Sequence, residues 1–79
     1  MKSIMIRLCS IEDVKKFVNI MAQFKGYFDL VSGRYVVDAK SVMGIFSMDL
    51  SKDLELRILE TDEQEKELMA AIEPFLVRE

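Results

Sequence analysis

The chain has 79 residues, 51% of them hydrophobic, with a net charge of −3 and no histidine. This composition excludes a disordered chain, which needs low hydrophobicity and high net charge. It also excludes any chemistry in which an imidazole of this chain acts as base, phosphoryl acceptor or metal ligand.

The length predicts one domain over residues 1–79, burying roughly 60–65% of the surface of its unfolded chain. The single cysteine, Cys9, can form no internal disulfide, which points to a reducing compartment. Met1 to Leu8 carries Lys2 and Arg7 and no long apolar run, so it does not read as a signal peptide. No stretch approaches the ~20 apolar residues that span a bilayer. The expectation is a cytoplasmic protein without membrane insertion. Residues 1–40 hold seven basic and four acidic residues, and residues 41–79 hold four basic and ten acidic ones. An acidic chain with no basic cluster is not expected to bind nucleic acid.

Ile4, Ile6 and Leu8 alternate with Met5 and Arg7, the period of a first strand. Ser10 to Asp13 has the spacing of a capping box, with Asp in place of Glu, and predicts a helix start. Ile11, Val14, Val18 and Met21 follow at helical spacing, widened by Phe17, Ile20 and Phe24. Gly26 is placed as a left-handed C-terminal cap of that helix. Tyr27–Val31 and Arg34–Ala39 read as a hairpin turning at Ser32-Gly33. Ser41 then caps a second helix of two to three turns, with Val42, Ile45, Phe46 and Asp49 at helical spacing. From Asp53, Leu54, Leu56 and Ile58 face one way and Glu55, Arg57 and Leu59 the other. Thr61-Asp62-Glu63 is predicted to start a last helix, with Asp62 and Glu65 as its capping box. Its stripe is Leu68, Ala71, Ile72 and Phe75, and Pro74 should kink or end it. The order β-α-β-β-α-β-α implies an α+β fold, an open-faced sandwich of a four-stranded antiparallel sheet with three helices on one face.

Few residues could carry chemistry. Catalytic triads need histidine, a zinc site needs more Cys or His, and the three glycines make no phosphate loop. Neither an enzyme nor a cofactor or metal site is expected. The acidic run Glu60 to Glu67 lacks calcium-loop spacing and reads as a solvated helix start. Cys9-Ser10, where strand meets helix, reads either as an anion or phosphoryl site or as an ordinary cap beside a buried thiol. Ser41 reads as a cap or as a phosphorylation site, where added phosphate would meet the helix dipole. Val42, Met43, Ile45, Phe46 and Met48 crowd one short segment. Either all are core, or some, Met43 and Phe46 first, form an exposed contact patch.

Residues 40–48, Lys-Ser-Val-Met-Gly-Ile-Phe-Ser-Met, resemble the regulatory-serine segment of HPr, the histidine-containing phosphocarrier of the bacterial sugar phosphotransferase system. The family pattern there is Lys-Ser-Ile-Met-Gly-Val-Met-Ser-Leu. The hairpin before it and the strand after it fit the same family, as does the element order. The resemblance implies an HPr-like open-faced sandwich. It also implies a phosphoryl-bearing histidine at the start of the first helix, in a motif like His-Ala-Arg-Pro. Here that stretch is Ser10-Ile11-Glu12-Asp13. The histidine slot falls on or beside Ser10, and the arginine slot on or beside Glu12, with its charge reversed. A phosphoryl group there would meet repulsion of roughly a kcal/mol or more per close pair.

Ser41 matches the serine that, in firmicute relatives, a dedicated kinase phosphorylates, giving a form that binds a transcriptional regulator. Val42, Met43 and Phe46 match the family's partner-docking patch. The resemblance thus implies a regulatory or protein-interaction module without histidine phosphotransfer. Its partners would be phosphotransferase-system enzymes, an HPr-type kinase or a transcriptional regulator. The alternatives are a phosphocarrier that uses Cys9 and a small-molecule-binding regulatory domain of the ferredoxin-like kind, which shares much of the element order.

Overall fold

The computed structural model describes residues 2–61 and 64–77. The elements in chain order are β1 (Lys2–Ile6), α1 (Ile11–Ala22), β2 (Gly26–Ser32), β3 (Tyr35–Asp38), α2 (Val42–Phe46), β4 (Leu54–Thr61) and α3 (Glu65–Ala71). A 3-10 turn, Glu73–Phe75, follows. The strands form one antiparallel sheet in the order β1-β4-β2-β3. Because β4 pairs antiparallel with both β1 and β2, those two strands run parallel. The α1 connection between them is therefore a crossover.

Strand alternation sets the inner face. Ile6 of β1 pairs with Leu54, and Leu30 and Phe28 of β2 pair with Leu56 and Ile58. All six are buried. Over them lie Val14, Phe17, Val18 and Met21 of α1, Ile45 of α2, and Leu68 and Ile72 of α3, all in one core. The Phe17 ring stands edge-on to Phe75 at 5.8 Å between centroids, an arrangement worth about 1 kcal/mol beyond the area it buries. The opposite sheet face carries Met5, Glu55 and Arg57, with Arg57 Nε donating to Glu55 Oε2 at 2.8 Å.

Several boundaries differ from the expected ones. The first helix ends at Ala22 and its C-cap is Gln23. Gly26 has φ 130°, but it opens β2 and is not the left-handed helix cap that was expected. Ile11, expected in the helix's apolar stripe, is 61% exposed. The hairpin turns at Gly33-Arg34, with Ser32 opposite Tyr35. Gly33, at φ 59°, is the first central residue, the position where a two-residue turn needs glycine. The second helix has five residues, little more than one turn. Ser47 ends it by turning both its N–H and its hydroxyl onto the Gly44 carbonyl. Thr61 belongs to β4, so the last helix starts at Glu65, after the predicted point. Asp62 and Glu63 of the predicted start lie outside the described residues. The helix ends at Ala71, and Pro74 sits in the 3-10 turn, where its missing N–H costs nothing.

The segment after that turn returns to the sheet. Arg7 N donates to Phe75 O at 2.8 Å, Val77 N donates to Met5 O at 3.1 Å, and Ile6 pairs with Leu76. This pairing covers the outer edge of β1 near its end.

Candidate functional site

The two serines singled out from sequence both cap helices. Ser10 has extended backbone, and its Oγ accepts from Asp13 N at 3.1 Å. Asp13 answers through Oδ2, which accepts from Cys9 N at 3.0 Å. This is a capping box shifted by one residue, since the N–H satisfied is that of Cys9 and not of Ser10. Cys9 is exposed, so the expectation of a buried thiol does not hold. The start of α1 thus places Ser10, an exposed thiol and the carboxylates of Glu12 and Asp13 within one turn. Both carboxylates sit at the positive end of the helix dipole, which they already satisfy.

Ser41 caps α2 in the same way, with Oγ accepting from Gly44 N at 3.1 Å. No acidic residue stands in the first turn of α2. Gly44 is needed for closeness. A Cβ built there would lie 3.1 Å from Ser41 Oγ and 3.2 Å from Val37 Cβ. Its absence lets α2 settle against β3. Within the apolar segment, Ile45 and Met48 are buried and Val42 is half-buried, whereas Met43 is 79% and Phe46 37% exposed. The patch expected at Met43 and Phe46 is therefore at the surface.

Lys40 has a structural task that sequence reasoning missed. Its Nζ donates to Phe24 O at 2.8 Å and to Gly26 O at 3.4 Å, and stands 5.3 Å from the Phe28 ring centroid. The last turn of α1 has no basic residue of its own, and Lys40 supplies the positive charge that a helix C-terminus favours. The same bonds tie the residue before Ser41 to the chain that follows α1.

The family model described as "PTS HPr component phosphorylation site" matches residues 13–78. The chain belongs to the HPr family. The crystal structure of HPr-C-His from Thermoanaerobacter tengcongensis is similar to it, with a TM-score of 0.76 and 26% sequence identity over 94% of this chain and 89% of that chain. No curated protein matches in sequence.

Membership in the HPr family bears out the open-faced α+β sandwich and sets aside the ferredoxin-like alternative. It relates the chain to the phosphocarriers of the sugar phosphotransferase system, which are not catalytic enzymes. The matched segment begins at Asp13, so Ser10, Ile11 and Glu12 lie just before it. Among the described residues, no cluster of three or more His, Cys, Asp or Glu could hold a metal ion, and no helix is long and apolar enough to cross a membrane.

Proposed function

We propose that residues 1–79 form a single HPr-like domain that acts as a cytoplasmic regulatory or protein-interaction module without histidine phosphotransfer. One observation carries the reading: the chain has no histidine, and the start of α1, where the family's phosphorylation motif would fall, holds a serine cap and two carboxylates. A phosphoryl group on Ser10 or on Cys9 would be repelled by Glu12 and Asp13 and would compete with Asp13 for the Cys9 N–H. The remaining family features are Ser41, as a phosphorylation site, and Val42, Met43 and Phe46, as a docking patch. A phosphate on Ser41 meets no carboxylate in the first turn of α2. Exposed Met43 and Phe46 offer a protein partner an apolar anchor. The partners that fit are phosphotransferase-system enzymes, an HPr-type kinase or a transcriptional regulator.

Incubation with phosphoenolpyruvate and the system's first enzyme should leave the chain unlabelled. Stoichiometric label would overturn the reading, and its loss in Cys9→Ala would show the thiol to be the carrier. Affinity capture with wild type and Phe46→Glu should give a specific partner that the variant loses by tenfold or more. Equal capture by both would remove the docking patch. Treatment with an HPr-type kinase and ATP should add one phosphate at Ser41, read by mass spectrometry.

A further inference from the structure

A groove of about 430 Å³ runs between α1 and the α3 end of the fold. No residue of α2 lines it, so it is separate from the Met43–Phe46 patch. One wall is polar. Asp13, Lys16 and Asn19 stand on one side of α1, three residues apart, with Ile20 beside them. The other wall is apolar, made of Ala71, Pro74 and Phe75.

The apolar wall is preformed. Phe75 N donates to Ile72 O, Phe75 O accepts from Arg7 N, and the Phe75 ring is braced against Phe17. Pro74 has its φ locked by its ring. The polar wall is unspent. Lys16 and Asn19 have no side-chain hydrogen bond or ion pair with the described residues. Asp13 uses Oδ2 for Cys9 N, which leaves Oδ1 without a donor among the described residues.

The charges choose among ligands. A simple anion would gain from Lys16 but be repelled by Asp13. A simple cation would meet the reverse. A small zwitterion satisfies both, if its opposite charges are spaced like residues three apart on a helix, about 4.5 Å along the axis. An α-amino acid has its ammonium and carboxylate on one carbon, close enough to bridge that step. Its side chain would then cross the groove to Ala71, Pro74 and Phe75. The volume suits a small molecule of this size.

We propose that this groove binds a free α-amino acid with an apolar side chain. Its ammonium lies at Asp13, its carboxylate at Lys16 with Asn19 donating, and its side chain against Ile20 and the Pro74-Phe75 wall. Lys16 is exposed and Asp13 only half-buried, so each ion pair contributes little. The apolar contact carries most of the affinity.

The test is a titration of the isotope-labelled full chain, followed by amide chemical shifts. The four probes are leucine, glycine, 4-methylpentanoate (no ammonium) and 3-methylbutylamine (no carboxylate). Leucine should give saturable shifts confined to residues 13–20 and 71–75. Glycine should bind at least tenfold more weakly, and each singly charged analogue about fivefold more weakly. Lys16→Met, on an exposed helical position, should keep the spectrum of the folded chain and weaken leucine about fivefold. The proposal is overturned by the absence of saturable shifts, by equal binding of leucine and either singly charged analogue, or by shifts centred elsewhere.

Discussion

The starts of α1 and α2 make the same bond in opposite surroundings. At each, a serine Oγ accepts from the N–H three residues on, at 3.1 Å. Around Ser10 the first turn is acidic, and Asp13 reaches back to Cys9 N. Around Ser41 there is no acid in the first turn, and the nearest cation in sequence, Lys40, is committed to Phe24 O and Gly26 O. Capping alone therefore does not distinguish the two sites. The fixed charges beside the cap do: the first turn of α1 carries two carboxylates and that of α2 carries none.

The largest blow to the α2 side of this comparison should come from Gly44→Val. Its branched side chain enters space already 3.1 Å from Ser41 Oγ and 3.2 Å from Val37 Cβ. Overpacking of this kind costs ~2–3 kcal/mol, measurable as a lowered midpoint in urea. Lys40→Met keeps the apolar stem but strips two carbonyls of a charged donor. A loss of about 2 kcal/mol is expected. It would also show that Lys40 serves the end of α1 and not the hydroxyl of Ser41.

Ser10→Ala and Ser41→Ala test the caps directly. Removing a serine N-cap costs ~1 kcal/mol, and the two losses should be similar if the bonds are equivalent. A much larger loss at Ser10 would mean that the shifted capping box works as a unit with Asp13. The smallest effect concerns pH. The Asp49 carboxyl is held below its ordinary value by the Ser51 hydroxyl and the Ser51 N–H, which both donate to it. A carboxylate lowered in the folded state stabilises it above the ordinary range near pH ~3.9. That contribution is lost as pH falls through the lowered folded value. Asp49→Asn should therefore lower stability slightly at neutral pH and converge with wild type at low pH, which flattens the acid limb.

How much of this was legible in the sequence depended on the range of each interaction. Leu54, Leu56 and Ile58 announce β4 because alternation is a local pattern, and all three are buried as expected. Val14, Phe17, Val18 and Met21 announce α1 for the same reason. The Ser10 and Ser41 caps were also readable, since each bond spans three residues. The end of α2 was not, because it is set by Ser47 turning both its donors onto Gly44 O instead of by a change in hydrophobic period. Nor was the role of Lys40, whose partners lie 14 and 16 residues back. The exposure of Cys9 escaped for a related reason. A residue between a buried Leu8 and a helix cap looks sheltered in sequence, but the chain turns it outward.

The return of the last described residues to β1 has a consequence for how the molecule behaves among its own copies. An outer strand with free N–H and C=O groups is a template for further strands. Here Met5 and Arg7 spend theirs on Val77 and Phe75. A chain cut before Phe75 would bare that seam next to the half-exposed Met5 side chain. Such a fragment should form sheet-to-sheet aggregates under conditions where the intact chain stays dispersed.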